Sequence, residues 1–448
     1  MLSLFFVLPL AAASIVNSQL SLLPHHPHPP EDIPPLSHWE DLAASQNRTL
    51  CHILPGQDGD DDDAKTIASA LNHDCRTNAL VVLPGAQYTM ASNITTTSMD
   101  NVHIELYGRL LWTTDIDYWL SVSMPVGFQN QSTVWYFGGR HVRLDGHGTG
   151  ELNGNGQVWY DWAKGRGNLP HRPMMINWRH LHASVITNLR FVQAQMWTMA
   201  TTWSHDLLFD TIYVNNTSNS SHSTLNTDGI DTIYSDNITL RRWDVTCGDD
   251  NVALKGNSSN VFLYDSVFHG GQVIAIGSLG QYNDAWEYVH TFHARNVTMR
   301  DTRYAVYLKT WAGHQNGYPP NGGGGGRGHG QDIVLEDVVL HGARTAPFWI
   351  WQCENYEGDM GKDCDSSEFS FSDLRFSNVS GTTADGVTLA ASLRCAAGGG
   401  GCTNIIVEDF SVVTANTKKP LTEWYCANVH NPSGFECEPF PEDKGDDE

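Results

Sequence analysis

Basic residues are scarce in this chain. Its 26 Lys and Arg residues stand against 50 Asp and Glu residues, which gives a formal net charge of -24 at pH 7. A surface of that sign repels phosphate, so nucleic acid and anionic membranes are excluded as general partners. An anionic ligand would need local lysine or arginine to offset the acidic field.

Three familiar patterns are also missing. The sequence has no CxxC pair, so a zinc site is not predicted. No GK[ST] motif follows the glycine-rich stretch 316–331, which excludes a phosphate-binding loop there. The apolar N-terminal run is broken by Ser14, Asn17 and Ser18, so it is too short for a transmembrane helix. We expect residues 1–18 to be a signal peptide, although the run contains no Lys or Arg.

Cysteines and glycosylation sequons agree with secretion. Ten Asn-x-Ser/Thr sequons are present, a density typical of a secreted glycoprotein. Of nine cysteines, eight lie close to a neighbour in sequence and predict four disulfides. The predicted pairs are Cys51 with Cys75, Cys353 with Cys364, Cys395 with Cys402, and Cys426 with Cys437. Cys247 is left over, and we expect it to be buried and inert.

The chain divides into four parts by composition. After the signal peptide, residues 19–48 are rich in Pro and His and are expected to be extended. Residues 49–440 form one catalytic domain, and residues 441–448 form an acidic tail. A short helix at about 63–73 is predicted where Asp residues precede an apolar face at helical spacing. We expect the molecule to be a monomer.

Short strand patterns recur along the domain. Each unit has an Asn- or Asp-rich lead followed by an alternating β-branched or aromatic segment, and the step from Asn237 to Asn260 is 23 residues. A propeller needs repeats of about 40 residues or more. Repeats of this shorter length without helical periodicity predict an all-β, right-handed parallel β-helix, with the short helix as its N-terminal cap.

Four acidic residues cluster within the stretch 225–255. Asp228 and Asp231 precede Asp249 and Asp250 by an interval close to one turn of the predicted solenoid. Neighbouring strands lie about 4.8 Å apart, so these acids are expected to gather on one face. Grouped carboxylates are what acid/base cleavage of a glycosidic bond requires.

Two adjacent aspartates present a geometric problem. Successive residues of a regular strand point to opposite faces, so Asp249 and Asp250 can share a cleft only where the strand is interrupted. We therefore predict a bend at Gly248. Aspartates are also common at solenoid turns, so the cluster by itself does not establish catalysis.

Four ordered motifs identify a resemblance to the polygalacturonases, glycoside hydrolase family 28, over most of the chain. The match is nearest to the fungal branch of exo-polygalacturonases and exo-rhamnogalacturonases, which shares the glycine-rich insert. The motifs are NTD at 226–228, GDD at 248–250, GGQVIAIGSLGQY at 270–282 and YLKTW at 307–311.

The resemblance implies a role for each acid. Asp249 is expected to protonate the leaving oxygen, while Asp228 and Asp250 hold and deprotonate the attacking water. Asn226 and Asp231 are expected to orient these groups and to line the substrate site. The implied reaction inverts the anomeric centre and needs no metal or cofactor.

Two positions depart from the family pattern. Gln272 stands where the family has the His of a Gly-His-Gly motif. Tyr307 replaces the Arg of Arg-Ile-Lys, whereas Lys309 keeps the lysine. The resemblance places that Arg and Lys on a substrate carboxylate, the Arg toward the leaving group. Exchanging a bidentate clamp for a phenol suits a neutral sugar such as rhamnose as well as a uronate.

These observations predict a secreted, extracellular, exo-acting pectin hydrolase that releases terminal galacturonic acid from homogalacturonan. Exo action is expected from the resemblance and from loops such as the glycine-rich stretch 316–331, which we expect to close one end of the cleft. Its partner is a pectic polysaccharide or oligosaccharide. The alternative substrate is rhamnogalacturonan, from whose ends the enzyme would release galacturonic acid. Two further alternatives stay open: a β-helical pectate lyase that uses Ca²⁺, and a catalytically silent protein that binds cell walls.

Overall fold

The computed structural model describes residues 22–23, 33–56, 61–354 and 363–441. The proposed signal peptide and residues 442–448 of the acidic tail lie outside the described residues. In these described ranges parallel β-strands dominate, and four short α-helices lie beside them. The helices are Leu36–Ser45 (α1), Asp63–Asn72 (α2), Ile116–Val122 (α3) and Gly156–Ala163 (α4). Among the described residues, no helix has the length and apolar character needed to cross a membrane.

Twenty-eight strands are present in the described residues. The first fourteen are Thr49–His52 (β1), Thr77–Leu83 (β2), Gln87–Met90 (β3), Ile94–Leu106 (β4), Arg109–Trp112 (β5), Met124–Pro125 (β6), Ser132–Thr133 (β7), Trp135–Arg140 (β8), Arg143–Asp145 (β9), Glu151–Asn153 (β10), Pro173–Met174 (β11), Ile176–Val192 (β12), Met199–Thr202 (β13) and His205–Asn215 (β14). The others are Ile230–Ile233 (β15), Asp236–Thr246 (β16), Val252–Leu254 (β17), Ser258–His269 (β18), Ile274–Leu279 (β19), Trp286–Arg300 (β20), Val306–Trp311 (β21), Arg327–Ala343 (β22), Phe348–Glu354 (β23), Glu368–Thr383 (β24), Leu389–Arg394 (β25), Cys402–Thr414 (β26), Glu423–Ala427 (β27) and Val429–His430 (β28).

The strands confirm the predicted parallel β-helix. One ladder of long strands runs through β12, β14, β16, β18, β20, β22, β24 and β26. A second ladder of short strands, β13, β15, β17, β19, β21, β23, β25 and β27, alternates with it along the chain. Ile238 of β16 pairs with Val261 of β18, the 23-residue step read from the sequence.

Asparagine and aspartate bend the long strands at stacked corners. Asn237 and Asn260 have φ values of 53° and 52°, in the left-handed region that these residue types tolerate. The side-chain amide of Asn237 donates to Asp206 Oδ1 at 2.6 Å on the preceding turn, and that of Asn296 donates to Asp265 Oδ1 at 2.7 Å. The Asn-rich lead of each repeat is therefore a corner of the solenoid.

The N-terminal end of the solenoid is covered by helices. α2 agrees with the predicted helix and begins at the predicted acids, where the Asp62 carboxylate accepts from the Ala64 N–H at 3.2 Å. The segment 19–48 differs from its expected extended form, because α1 occupies Leu36–Ser45. Trp39 and Ala43 lie one turn apart and bury an apolar face against β2, which the Pro-rich composition concealed.

Four disulfides join the cysteine pairs that proximity predicts. Cys51–Cys75 links β1 to the segment that follows α2, and Cys426–Cys437 closes the other end of the solenoid. Cys247 is free and 6% exposed, and its thiol donates to the Asp249 carbonyl at 3.2 Å. Burial raises the pKa of that thiol, which fits a structural cysteine rather than a nucleophile.

Candidate active site

The ladder of short strands forms the floor of a cleft of about 520 Å³. Its register places Ala200, Asp231, Ala253, Ala275 and Tyr307 in one column across β13 to β21. The segments that lead into these strands therefore lie side by side. Residues 225–229, 247–251 and 270–273 are three such segments, and they bring the sequence motifs together.

The three predicted catalytic carboxylates meet in this cleft. Oxygen atoms of Asp228, Asp249 and Asp250 all lie within 4.8 Å of one another. Residues 247–251 fall between β16 and β17 and belong to neither strand, so Asp249 and Asp250 are freed from strand alternation. A Cβ on Gly248 would lie 2.1 Å from Thr224 Oγ1, so only glycine permits this close passage. The predicted bend is present.

Asn226 holds the Asp249 carboxylate from one side. Its backbone N–H and its side-chain amide donate to Asp249 Oδ2 at 3.1 and 3.3 Å. Both donors face the same oxygen because Asn226 adopts a left-handed φ of 59°, which asparagine tolerates. The other oxygen, Oδ1, accepts from the Asp250 N–H at 3.0 Å. The Asp249 side chain is thus fixed in orientation.

Two buried lysines balance the acids. Lys309 Nζ lies 2.9 Å from Asp250 Oδ2, to which it donates a hydrogen bond. Lys255 Nζ is 3.2 Å from Asp231 Oδ1 and donates to the Gly277 carbonyl at 2.9 Å. Asp231 is fully buried and, unlike its partner Lys255, does not line the cleft where the sequence placed it. Its place is therefore a supporting one.

Burial and crowding raise the pKa values of Asp228, Asp231 and Asp249. Desolvation, followed by the charges of Asp249, Asp231 and Asp250, holds the pKa of Asp228 well above its usual range. The pKa of Asp249 is raised by desolvation and then by Asp250, while Lys309 and the Asn226 N–H oppose the rise. Desolvation raises the pKa of Asp231 to about 7 against the pull of Lys255. The cluster therefore keeps protons that isolated aspartates would lose.

The positions that depart from the family pattern line the same cleft. The Gln272 N–H donates to the Asp249 carbonyl at 2.9 Å, and Gln272 Oε1 accepts from Arg303 Nη1 at 3.5 Å. The Tyr307 hydroxyl donates to Glu354 Oε2 at 2.9 Å. Tyr307 and Glu354 are each 6% exposed. A carboxylate therefore lies beside the position where the family pattern has an arginine.

Three separate segments join to wall the cleft. The Tyr282 hydroxyl accepts from the Gln129 N–H at 2.6 Å, and Gln129 Nε2 donates to Gln281 Oε1 at 2.6 Å. Gln281 Nε2 in turn donates to the carbonyls of Pro320 and Gly322 at 2.9 and 3.0 Å. Gln129 and Asn321 line the cleft. We call the joined segments 126–131, 280–282 and 319–322 the cleft wall.

The cleft wall is anchored beside Trp197. The hairpin of β6 and β7 carries residues 126–131, and its Val126 and Phe128 pack in one cluster with Trp197. Trp197 itself lines the cleft, with Lys255 Nζ 5.3 Å from its ring centroid. It precedes β13 whereas Glu354 ends β23, so the two lie toward opposite ends of the cleft.

Sequence reasoning missed several lining residues. Gln129, Arg303 and Glu354 lie outside the four motifs and reach the cleft through contacts across many residues. Arg172 was also missed: it does not line the cleft, but its buried guanidinium interacts electrostatically with Asp228 and Asp249 and donates to the Gln195 and Leu225 carbonyls at 2.6 and 3.0 Å. No local pattern marks these positions, because long-range folding alone brings them to the site.

Known proteins resemble this chain over most of its length. A sequence profile described as glycosyl hydrolases family 28 matches residues 81–437. Alpha-L-rhamnosidase rgxB of Aspergillus niger is 42% identical over 405 residues, which cover 90% of this chain and 93% of that protein. Exopolygalacturonase X-1 of Emericella nidulans is 30% identical over 423 residues, covering 94% of this chain and 96% of that protein.

A solved structure supports the fold. The endo-xylogalacturonan hydrolase of Aspergillus tubingensis superposes with a TM-score of 0.74 at 24% sequence identity. The match covers 87% of this chain and 99% of that one. At this identity the likeness concerns the β-helix alone.

Proposed function

The chain belongs to glycosyl hydrolases family 28, and from that premise we propose that it is an exo-acting hydrolase of pectic polysaccharide. The observation that carries the proposal is the group of three carboxylates, Asp228, Asp249 and Asp250, within 4.8 Å of one another in a walled cleft. Such a group supplies both the acid and the base that hydrolysis of a glycosidic bond needs.

Asp249 is the proposed general acid. Its raised pKa favours the protonated form at pH values where an exposed aspartate is ionised. The Asn226 amide, the Asn226 N–H and the Asp250 N–H fix its carboxyl group. Its proton passes to the glycosidic oxygen as the bond to the anomeric carbon breaks.

Asp250 is the proposed base, and Asp228 positions the water with it. Lys309 stabilises the negative charge of Asp250 through a hydrogen bond of 2.9 Å. Asp228 Oδ1 is buried and has no hydrogen-bond partner among the residues that the structure describes, so it is available to a water molecule. Inverting enzymes usually separate their carboxyl groups by about 6.5–9.5 Å. The carboxyl groups of this cleft lie closer together than that, so the proposed inversion rests on the family relationship. The attacking water would lie between Asp228 and Asp250.

Exo action is proposed from the cleft wall. Gln281 joins the 126–131 hairpin to the 319–322 loop, and both segments contribute lining residues. A wall beside Trp197 limits the number of sugar units that fit there, so the enzyme would remove one terminal unit at a time. This extends the expectation that the glycine-rich insert closes part of the cleft.

Two terminal sugars are candidates for release. Galacturonic acid, from homogalacturonan or alternatively from rhamnogalacturonan, is favoured by the two lysines placed in an otherwise acidic protein. L-rhamnose is favoured by the 42% identity to a protein named as an alpha-L-rhamnosidase. The catalytic group is the same for both, and the sugar is decided by the rest of the cleft.

Replacement of the acid tests the proposal. We expect Asp249→Asn to lower kcat by at least about 100-fold, because general acid catalysis contributes roughly 10²–10⁴. KM should change little, since the amide keeps the shape and polar contacts of the side chain. Reducing-end release is measured on galacturonan and rhamnogalacturonan oligosaccharides. The matched control is Asp385→Asn, whose side chain is exposed outside the cleft. Full activity of Asp249→Asn would contradict the assignment.

The cellular setting is also proposed. The N-terminal signal, the sequons and the four disulfides support secretion into an oxidising, extracellular space. There the enzyme would act as a monomer on cell-wall pectin, without association with membranes or nucleic acid. Asn216 is an exception among the sequons, because it is 1% exposed and its amide donates to Thr198 Oγ1 at 2.7 Å.

A further inference from the structure

We propose that Arg172 is a positioning residue that acts on the general acid Asp249 through the peptide group between Leu225 and Asn226. The inference rests on the proposed function, because it concerns the same acid. It goes further by giving a role in the reaction to a buried arginine that lies outside every sequence motif and does not line the cleft.

One peptide group connects the arginine to the acid. Arg172 Nη1 donates to the Leu225 carbonyl at 3.0 Å. The N–H of the same peptide group belongs to Asn226, and it donates to Asp249 Oδ2 at 3.1 Å. A carbonyl that accepts from a charged donor is polarised, so the N–H of its peptide group becomes a stronger donor. The charge of Arg172 therefore reaches Asp249 along a continuous chain of hydrogen bonds.

The guanidinium of Arg172 is itself held firmly. Arg172 is 1% exposed, and its Nε donates to the Gln195 carbonyl at 2.6 Å. It therefore joins two separate segments, one leading to Trp197 and the other to Asn226, which both line the cleft. A planar fork with two committed donors sets the direction of the Leu225 carbonyl more tightly than a single ammonium group could. The plane of the peptide group is thereby fixed.

The segment that carries Arg172 also holds the side chain of Asn226. The Asn168 N–H donates to Asn226 Oδ1 at 2.7 Å. The amide nitrogen of the same side chain donates to Asp249 Oδ2 at 3.3 Å. Residues 168–172 thus control both donors that Asn226 directs at one oxygen of the acid, the backbone N–H and the side-chain amide.

Arg172 differs from Lys255 and Lys309, which form ion pairs with aspartates of the site. It forms no ion pair with a residue that the structure describes, and its buried Nη2 has no hydrogen-bond partner among those residues. Burial lowers the pKa of Arg172 to about 10, and the charges of Tyr160, Asp228 and Asp249 oppose this lowering. A buried cation of this kind destabilises a fold, which favours a role in the site.

The hydrogen bond at the end of the chain already affects the acid. Burial and then Asp250 raise the pKa of Asp249, whereas Lys309, the Asn226 N–H and Lys255 lower it. Loss of the Arg172 charge weakens the Asn226 N–H as a donor, so the pKa of Asp249 should rise further. The titratable groups that face Arg172 and Asp249 are Tyr160, Asp228, Asp231, Cys247, Asp250, Lys255 and Lys309.

Two substitutions separate the charge of Arg172 from its geometry. Arg172→Gln removes the charge and keeps an amide donor, whereas Arg172→Lys keeps the charge and replaces the fork by one donor atom. In Arg172→Gln the high-pH limb of the kcat profile, which reports loss of the acid's proton, should move up by about half a pH unit or more. In Arg172→Lys that limb should stay in place while kcat falls about 10-fold, because the acid is less well aligned.

A second buried arginine supplies the matched control. Arg190 is 2% exposed and lies outside the cleft, with its Cζ 4.0 Å from the Tyr213 ring centroid. Arg190→Gln and Arg190→Lys should leave the high-pH limb unchanged even where they lower Tm. All variants are assayed on the galacturonan and rhamnogalacturonan oligosaccharides of the Asp249→Asn experiment. Thermal unfolding identifies the variants that are folded at the assay temperature.

A wild-type high-pH limb in folded Arg172→Gln, or an equal shift in Arg190→Gln, would overturn the inference. If Arg172→Gln does not fold, Arg172→Lys decides, because a wild-type kcat in that variant would show that the arginine fork does not align the acid. Each of these results leaves the proposed hydrolase intact as long as Asp249→Asn lowers turnover. Full activity of Asp249→Asn would instead reject the proposed role of Asp249 itself.

Discussion

At the scale of single residues, the site depends on aspartates that are crowded and buried. Asp228, Asp231 and Asp250 are 3%, 0% and 1% exposed, and the buried Lys255 and Lys309 form ion pairs with Asp231 and Asp250. Burial disfavours the charged form of a carboxyl group, and neighbouring carboxylates disfavour it further. The cluster therefore destabilises the folded state at neutral pH in exchange for a protonated acid in the cleft.

This cost should be visible in the pH dependence of stability. The folded pKa of Asp228 is raised, so the folded state keeps a proton that the unfolded chain loses above about pH 4. The contribution of Asp228 to the free energy of unfolding is therefore fully present at low pH, and it is lost as the pH rises toward the raised pKa. We expect Asp228→Asn to have the higher Tm at pH 7 and to lose that advantage near pH 4.

Thermal scans of wild type, Asp228→Asn and the exposed Asp385→Asn check this prediction. The Tm of Asp228→Asn minus the Tm of wild type should increase with pH. The corresponding Tm difference for Asp385→Asn should not change with pH. If the Tm difference between Asp228→Asn and wild type stayed constant across the pH range, folding would not raise the pKa of Asp228.

The positions of the three acids and of Lys309 were predictable because these residues lie within recognisable sequence motifs. Two of these motifs, NTD at 226–228 and GDD at 248–250, contain the carboxylates. The glycine of the second motif also predicts the bend that brings Asp249 and Asp250 into one cleft. Glu354 and Gln129 were not predictable, because each reaches the cleft from a segment with no distinctive pattern. Their roles depend on hydrogen bonds that span 47 and 152 residues.

At the scale of elements, the short strands position the chemistry and the insertions shape the access. The strand ladder was predictable from the repeat length and the alternating pattern. The cleft wall was predictable only in part: the glycine-rich loop was expected to close the cleft, but its joint to the β6–β7 hairpin was not. That joint is made by two glutamine side chains, Gln129 and Gln281.

Opening the wall should change the product pattern. Gln281→Ala removes the acceptor of Gln129 Nε2 and the donor to the Pro320 and Gly322 carbonyls. We expect the variant to release mixed oligosaccharides early from a pectic polymer, where the wild type releases monosaccharide. Product lengths are followed by anion-exchange chromatography during the first turnovers.

A surface glutamine supplies the control. Gln331→Ala removes an exposed side chain on β22 that donates to Asp373 at 3.3 Å, outside the cleft. It should keep the wild-type product pattern. Monosaccharide as the sole early product of folded Gln281→Ala would show that the wall does not determine the mode of attack.

At the scale of the whole molecule, the fold is one continuous solenoid whose ends are closed. β-strand repeats predicted the architecture, and cysteine proximity predicted all four disulfides. α1 was not predicted, because proline and histidine around it masked the apolar face of Leu36–Ser45. The solenoid brings motifs from successive repeats onto adjacent strands. The repeat length and the motifs together therefore predict the catalytic carboxylates, but not the lining residues that lie outside the motifs.

The central claim is that a family 28 cleft with three close carboxylates hydrolyses its substrate by direct attack of water. Proton NMR of the first products from an α-linked pectic oligosaccharide tests it most directly. We predict that the released sugar appears first as the β-anomer and then equilibrates. Initial appearance of the α-anomer would contradict direct displacement, and an unsaturated sugar would contradict hydrolysis itself.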